Sequence, residues 1–378
     1  MHHHACLSID PTHIPDNPYL LLTPGPLSTT KGVRAAMLKD WCTWDDDYNR
    51  VVQEIRSALV DLGSRTDAYS CVLMQGSGTF SVESAIQTLM PKEGGTLLVL
   101  ANGAYGRRIQ SIAAYAGISC IVQESLETQT FCLETLEHHL SANASISAVA
   151  VVHCETTTGI LNPIEAIGDI VKRHQKLFIV DAMSSFGGVP IDMDRLGCDV
   201  LISSANKCIQ GVPGFGFMLF KKEVIEGCRG NARSLSLDAF EQWLAMEKGN
   251  GKWRFTSPTH VVRAFKEALV ELRLEGGIEK RNMRYRANQL LLVEGMEALG
   301  FRCVLDRSLQ SPIITSFYSP QSSAYEFAEF YKRLKSAGFV IYPGKVSTID
   351  SFRIGTIGDV FPEDIVCLLH AIEEVKFW

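Results

Sequence analysis

The sequence lacks the features of several common protein classes. Its 11 cysteines occur singly, with no CxxC pair and no cluster spaced like metal ligands. No run of lysines and arginines follows a helix face, and 36 basic against 42 acidic residues leave a net charge of −6, which argues against a nucleic-acid-binding surface. No segment reaches the roughly 18 apolar residues of a membrane helix, and no signal-peptide pattern is present. We therefore expect a reduced, cytoplasmic protein with no metal, membrane or nucleic-acid partner.

What is present indicates a globular enzyme. Hydrophobic residues make up 46% of the 378 positions, charged residues 21%, and 30 positions are glycine. This length predicts two or three domains. The His2-His3-His4 run beside Met1 is interpreted as a tag remnant or a mobile end and not as a metal site.

Apolar runs alternate with helical patterns through the first part of the chain. A helix is predicted from Asp45 to Leu62. The strand-like runs are Cys71–Gln75, Thr96–Ala101, Ile118–Val122, Ala148–His153, Leu177–Val180 and Val200–Ser203, and the helical segments between them lie at about 79–90, 104–116, 132–141 and 164–175. Several runs are continuously apolar, as expected of parallel strands that are buried on both faces. The pattern predicts a doubly wound α/β sheet.

The second part of the chain has a different pattern. A polar stretch from Asn231 to Pro258 interrupts the alternation. After it we expect long helices at about 258–275 and 278–299, strands near Phe301–Leu305, Ile313–Tyr318, Val340–Tyr342 and Phe352–Ile354, and helices near 323–337 and 363–375. We predict an N-terminal arm (1–30) that packs on the small domain and the active site, a large domain (31–275) and a small α+β domain (276–378).

Polar residues follow the apolar runs, where ligands bind in sheets of this kind. Gly76-Ser77-Gly78-Thr79 opens a helix, so its amides and hydroxyls could hold a phosphate, although a plain helix cap is the alternative. Asp181 directly follows Leu177–Val180 and is either a helix cap or the partner of a buried cation. Lys207 follows the next strand and precedes a Gly/Pro-rich loop. Alone it is an ordinary surface lysine, but here it shares one edge with the other two features.

A phosphate seat, a buried carboxylate, an aromatic ring and a lysine are together what pyridoxal 5′-phosphate (PLP) requires. In this interpretation Lys207 forms the Schiff base with the cofactor aldehyde, and Asp181 keeps the pyridine nitrogen protonated. Tyr105 stacks on the ring, and Thr156 donates to its phenolate oxygen. These residues predict a PLP-dependent enzyme.

From about Leu20 to the C-terminus the chain resembles the class V aminotransferases of PLP fold type I. The resembling segments include Leu22–Leu27, Cys42–Tyr48, Gln75–Gly78, Asn102–Gly106, Glu155–Gly159, Val180–Gly188, Ser203–Gly216, Lys252–His260 and Phe352–Gly355. The resemblance implies a large domain with a mostly parallel seven-stranded sheet flanked by helices, a smaller α+β C-terminal domain, and a homodimer with shared active sites. It also implies 2-aminoethylphosphonate as amino donor and pyruvate as acceptor.

The resemblance assigns roles to individual residues. The phosphate would be held by Ser77, Gly78, Thr79 and Asn206. Thr256 and Trp253 would reach it from the neighbouring subunit. Arg353 would grip the acidic end of the substrate, near Gly25. From the residues alone, Arg353 would be interpreted as a surface charge on a strand.

The residues leave three alternatives open. An alanine or serine:glyoxylate aminotransferase would share the fold and cofactor but use amino acids as donors. A cysteine desulfurase would need a histidine before the lysine, where Asn206 stands, and a reactive cysteine in the 319–346 region, which has none. A scaffold that binds no cofactor would be expected to lack the lysine or the aspartate, and both Lys207 and Asp181 are present.

Overall fold

The structure, a computed structural model, describes residues 10–378, so the interpretation of His2-His3-His4 lies outside the described residues. The strands are β1 Leu20–Leu21, β2 Tyr69–Gln75, β3 Thr96–Ala101, β4 Cys120–Glu124, β5 Ile146–Val152, β6 Cys154–Glu155, β7 Ile160–Leu161, β8 Leu177–Asp181, β9 Val200–Ser204, β10 Phe215–Lys221, β11 Ile314–Tyr318, β12 Phe339–Val340, β13 Tyr342–Pro343 and β14 Ser351–Gly355. The helices are α1 Lys31–Ala35, α2 Asp46–Gly63, α3 Gly78–Leu89, α4 Ala104–Tyr115, α5 Leu133–Ala142, α6 Ile164–Arg173, α7 Met193–Leu196, α8 Lys222–Glu226, α9 Ala239–Lys248, α10 Thr259–Glu275, α11 Gly277–Ala298, α12 Phe327–Ser336 and α13 Pro362–Val375.

The main sheet has seven strands in the order β2-β10-β9-β8-β5-β3-β4. All neighbours pair in parallel except β10, which is antiparallel to both β2 and β9. Side chains of β5 are buried on both faces of the sheet. Those on one face belong to one apolar cluster and those on the other face to a second cluster, and helices cover both. The expected mostly parallel α/β sheet is confirmed.

The strand β10 positions the loop that contains Lys207. The sequence pattern did not assign this strand explicitly, because it follows a glycine-rich loop instead of a crossover helix. An antiparallel neighbour needs no helix between strands, so β9 returns directly through residues 205–214 into β10. Lys207 therefore lies in a loop at the carboxyl end of β9.

Helix α2 shows how the local sequence sets an element. Asp45 caps its N-terminus by accepting a hydrogen bond from the Asp47 N–H at 3.0 Å. Val52, Ile55 and Leu59 repeat at helical spacing and are fully buried against the sheet. The helix predicted from Asp45 to Leu62 is confirmed to within one residue at each end.

Three predictions about the second part of the chain were wrong in detail. The polar stretch from Asn231 contains a helix, α9, because Phe240 and Met246 provide it with an apolar face. The strand predicted at Phe301–Leu305 is irregular, since its apolar side chains are buried without forming a ladder beyond one bridge at Cys303. The strand predicted at Val340–Tyr342 divides into β12 and β13, which pair with different partners.

The N-terminal arm runs over the C-terminal part of the chain. Its strand β1 pairs in parallel with β12. Leu22 is fully buried among side chains that include Phe352 and Ile354. The arm then turns at Pro24-Gly25-Pro26, beside Lys207. The boundary near 275 stays a prediction; Gly276, in the left-handed region with φ 104°, separates α10 from α11 at that point.

Candidate active site

Lys207 meets the N-terminal arm in the structure. Its Nζ donates a hydrogen bond to the Pro24 carbonyl at 2.7 Å. The side chain is largely enclosed, and burial lowers the pKa of the Lys207 ammonium, against the opposing influence of Tyr105 and Asp181. A lysine with a lowered pKa has a larger neutral fraction, which is the form that attacks carbonyl carbon and accepts protons.

Gly25 leaves the space that this lysine needs. It has φ +118°, in the region that favours glycine, and a Cβ on it would lie 2.7 Å from Lys207 Nζ and 2.8 Å from its Cδ. No side chain fits there without moving the lysine. The structure thus brings Gly25, predicted as a substrate contact, against the predicted catalytic lysine.

We expect Gly25→Ala to lower kcat/KM by about 100-fold, because a displaced nucleophile loses its alignment with the reacting carbon. Steady-state kinetics of the purified variant will test this. Gly94→Ala is the control: Gly94 also has a positive φ, of +71°, but a Cβ there meets nothing within 4 Å. If Gly25→Ala retained the activity of Gly94→Ala, the close approach to Lys207 would have no catalytic importance.

Asp181 ends strand β8, next to β9 in the sheet. Its side chain is buried, with one oxygen accepting a hydrogen bond from the Met183 N–H at 2.9 Å. Burial raises the pKa of Asp181 to about 6. Within residues 10–378 no lysine, arginine or histidine nitrogen lies within 4.0 Å of it. A buried carboxylate of this kind is suited to a cationic partner supplied by a ligand.

The N-terminus of α3 is close to this carboxylate. Ser77 is the N-cap residue, and its side chain makes no capping hydrogen bond. Thr79 Oγ1 accepts a hydrogen bond from the Arg108 side chain, from Nη1 at 3.2 Å. A Cβ on Gly78 would lie 2.2 Å from the Met183 sulfur, so only glycine allows this approach. Thr79 and Asp181 line the same small cavity. An anion would find free backbone N–H groups at this helix start.

Tyr105 lies in the first turn of α4 and lines the same cavity. Burial acts to raise the pKa of Tyr105, but the Thr156 side chain and the charges of Lys345 and Lys207 outweigh burial, so the pKa of Tyr105 is lowered. Its ring also carries the Arg108 guanidinium 4.8 Å from the ring centroid. The structure therefore brings together Tyr105, Thr156, Lys207 and Asp181.

Glu155 is a site residue that sequence reasoning did not identify. It is fully buried, and its Oε2 accepts hydrogen bonds from the Tyr105 and Gly106 N–H groups at 3.0 and 3.2 Å. Its Oε1 accepts one from Thr157 Oγ1 at 2.6 Å. Burial raises the pKa of Glu155 in spite of these hydrogen bonds. The carboxylate fixes the start of α4, and with it Tyr105.

Arg353 is buried on β14, so the interpretation of a surface charge from the residues alone is wrong. Its Nε donates to the Pro343 carbonyl at 3.0 Å and its Nη1 to the Thr156 carbonyl at 2.7 Å. Burial lowers the pKa of Arg353. Tyr105 and Glu155 act against this lowering, so the guanidinium lies within electrostatic reach of both and belongs to the same site.

The remaining predicted residues lie differently. Asn206 precedes Lys207 and accepts a hydrogen bond from Ser204 Oγ at 3.1 Å. Thr256 is exposed, and no hydrogen bond between described residues joins it to Lys207 or Asp181. Trp253 is buried and packs edge to face with Phe215, with 6.0 Å between the two ring centroids. The contribution of Thr256 and Trp253 to phosphate binding stays a prediction.

Two absences hold for the described residues. Between residues 10 and 378, no group of three or more histidine, cysteine, aspartate or glutamate side chains is arranged to hold a metal ion. No helix in that range is both long and apolar enough to cross a membrane.

The fold is that of known aminotransferases. A ureidoglycine–glyoxylate aminotransferase from Bacillus subtilis superposes with a TM-score of 0.86 at 23% identity, covering 96% of this chain and 94% of the other. An alanine–glyoxylate aminotransferase from Nostoc sp. gives the same TM-score, 0.86, at 24% identity, covering 96% of both chains. The expected PLP fold type I is confirmed as the fold class.

Sequence relatives then define the family. The family described as Aminotransferase class-V matches residues 34–345, and the chain belongs to it. A protein of Vibrio vulnificus (strain CMCP6), named 2-aminoethylphosphonate–pyruvate transaminase, is 60% identical over 363 residues, which cover 96% of this chain and 99% of the relative. A protein of Phocaeicola vulgatus with the same name is 57% identical over 361 residues, covering 95% of this chain and 99% of the relative.

Proposed function

We propose that this protein transfers the amino group of 2-aminoethylphosphonate to pyruvate, giving phosphonoacetaldehyde and L-alanine. The observation that carries the proposal is the 60% identity, over 96% of the chain, to a relative of that name. The buried Arg353 supports it, because a planar guanidinium can bind the phosphonate and the carboxylate of the two substrates in turn.

The residues present fit PLP as the cofactor. Asp181 offers a buried carboxylate with no cationic partner within the described chain, and the start of α3 offers an anion seat at Ser77, Gly78 and Thr79. Asn206 would add to that seat, Tyr105 would cover the ring, and Thr156 would reach the ring hydroxyl. When bound at Lys207, PLP supplies a conjugated ring that withdraws electrons from the substrate carbon.

Lys207 would act both as the attachment point and as the proton carrier. Its Nζ is held by the Pro24 carbonyl, and burial lowers its pKa, so a neutral amine is available at modest free-energy cost. Nζ would remove the proton from the substrate carbon that bears the amino group, and it would hold that proton within the enclosed site. In the pyruvate half-reaction the same nitrogen would give a proton to the corresponding carbon.

Arg353 would orient both substrates. Its contacts with Pro343 and Thr156 use Nε and one Nη1 hydrogen, which leaves Nη2 and the other Nη1 hydrogen for an anion. Two parallel hydrogen bonds would fix the substrate amine at a set distance from Lys207. A single donor could hold the anion but not its direction.

We expect Arg353→Lys to lower kcat/KM by about 100-fold in both half-reactions, since lysine replaces a bidentate fork with a point charge. The two half-reactions are measured separately, with aminoethylphosphonate alone and with pyruvate added afterwards. Arg302→Lys, an exposed arginine 5.0 Å from the Tyr318 ring centroid, is the control. A loss confined to one half-reaction would contradict the shared role.

The proposal includes a homodimer that acts in the cytoplasm. The exposure of Thr256 at the surface of a single chain supports a role for this side chain toward the phosphate of a partner subunit. Trp253 is less suited to that role, because its ring packs against Phe215 in the core.

A donor panel tests the proposed function. Aminoethylphosphonate, alanine, serine and phosphoserine are each paired with pyruvate or glyoxylate, and alanine or glycine formation is followed. We expect the highest kcat/KM for aminoethylphosphonate with pyruvate. Preference for alanine or serine with glyoxylate would favour the alternative and overturn the proposal.

A further inference from the structure

We propose that Lys345 is a second cation for the phosphonate end of the substrate and that, beside Arg353, it distinguishes a phosphonate from a carboxylate. This inference rests on the proposed function and assigns one of its specificity-determining residues. Three observations support it: Lys345 lies beside Tyr105, its ammonium has no carboxylate partner among the described residues, and its loop is anchored by hydrogen bonds.

The two substrates differ in charge. A carboxylate has one negative charge, whereas a phosphonate, like a phosphate ester, takes up part or all of a second charge near neutral pH and offers three oxygens. Arg353 contributes one positive charge, and two of its N–H groups are already used by backbone carbonyls. A doubly charged group in a partly dry site calls for a further cation.

Lys345 lies where that cation is needed. Its Nζ is 4.3 Å from the centroid of the Tyr105 ring, and Tyr105 lines the cavity that contains Asp181. In the described part of the chain, no carboxylate oxygen lies within 4.0 Å of this nitrogen. Lys345 is an exposed residue beside the site, and its ammonium is available to pair with a ligand.

Three cationic side chains lie within electrostatic reach of Tyr105. Burial acts to raise the pKa of Tyr105, the charges of Lys345 and Lys207 act to lower it, and Tyr105 in turn acts to raise the pKa of Arg353. Glu155, the carboxylate whose charge acts in the opposite direction on Tyr105, is already occupied by N–H and hydroxyl donors. This excess of cations around one hydroxyl marks the place where an anionic group gains most.

The loop that carries Lys345 is anchored on both sides. It joins β13 to β14, the strand of Arg353, and closes with a hydrogen bond from Gly344 N–H to the Ser351 carbonyl at 2.9 Å. Its far side is tied to the large domain, because Glu127 accepts hydrogen bonds from the N–H and Oγ of Ser347 at 2.8 and 3.2 Å. Lys345 and Arg353 thus lie on one hairpin, which Glu127 anchors.

The test compares Lys345→Met with the wild-type holoenzyme. Binding of ethylphosphonate and of propionate, which share a chain length and differ in the acidic group, is measured by calorimetry. We expect Lys345→Met to weaken ethylphosphonate binding about tenfold and propionate binding less than about threefold, as fits the loss of one charge-assisted contact. Lys345→Arg should restore most of the difference.

Lys335→Met is the matched control. Lys335, on α12, is also exposed, and its Nζ lies 5.3 Å from the centroid of the Tyr19 ring. It should leave both affinities unchanged. Equal weakening of both anions by Lys345→Met, or no weakening of either, would overturn the assignment. If the wild type binds ethylphosphonate through Lys345 but does not turn over aminoethylphosphonate, the proposed function fails while the role of Lys345 stands.

Discussion

Lys207→Ala is expected to lower kcat by about 10⁴-fold or more, because it removes both the nucleophile and the group that moves the proton. The protein should still fold, since the lost amine has one hydrogen-bond partner, the Pro24 carbonyl. Activity is measured as alanine formed from aminoethylphosphonate and pyruvate. The wild type, reduced with borohydride, should retain cofactor on Lys207 by peptide mass, and the variant should retain none.

The control for this experiment is Lys222→Ala, an exposed lysine at the start of α8. It should keep wild-type activity and covalent cofactor. If Lys207→Ala kept substantial turnover, or if borohydride fixed the cofactor on another lysine, the assignment of Lys207 would be wrong.

Asp181→Asn is expected to lower kcat by about 10³-fold, because an amide cannot stabilise a protonated ring nitrogen as a carboxylate does. The substitution keeps the size of the side chain and the acceptor for the Met183 N–H. Activity should therefore fall without loss of the fold. Steady-state kinetics and thermal unfolding are measured on the same preparation.

Stability of the cofactor-free protein provides a second readout with the opposite sign. The pKa of Asp181 is raised from 3.8 to about 6, so the contribution of this group to folding stability is greatest below about pH 4 and is lost as pH rises through 6. Near pH 7 the ionised carboxylate costs up to about 3 kcal/mol. Asp181→Asn removes that cost, so the cofactor-free variant should unfold at the same or a higher temperature than the wild type.

Asp199→Asn is the matched control. Asp199 directly precedes β9, the strand next to β8. This carboxylate is also buried, but it accepts hydrogen bonds from Lys221 Nζ at 3.0 Å and the Phe178 N–H at 2.8 Å. Its loss should lower stability by about 1 kcal/mol or more and leave kcat unchanged. If Asp181→Asn instead destabilised the cofactor-free protein and kept its activity, Asp181 would be a structural residue.

The sheet was the most predictable part of the fold. Buried parallel strands need continuous apolar runs, and Thr96–Ala101 was predicted with both ends correct. The rule that ligands bind at the carboxyl ends of such strands indicates Asp181 and Lys207, and the structure places Asp181 at the end of β8 and Lys207 just after the neighbouring β9. These inferences needed only local sequence and one rule of topology.

Other features depend on long-range packing that local patterns do not contain. Phe301–Leu305 has the composition of a strand, yet its side chains are buried without a ladder, so composition alone gave the wrong element. The buried Arg353 guanidinium donates hydrogen bonds to the carbonyls of Pro343 and Thr156. Thr156 lies far from Arg353 in the sequence, so the local pattern around Arg353 does not indicate this burial.

The same limit applies to the residues that sequence reasoning missed. Glu155 was visible only as part of a Glu-Thr-Thr-Thr-Gly segment, and its role depends on α4 starting beside it. A carboxylate directly before a glycine-ended threonine run, after a buried strand, is the signal that could have identified it. Lys345 had no such signal, because a lysine after Pro343-Gly344 is typical of any surface loop.

The central claim is tested most directly by mixing the holoenzyme with aminoethylphosphonate in the absence of any acceptor. The account predicts the release of one equivalent of phosphonoacetaldehyde per active site, followed by one equivalent of L-alanine when pyruvate is added. No aldehyde from aminoethylphosphonate, from a preparation that reacts with serine or alanine under the same conditions, would contradict it.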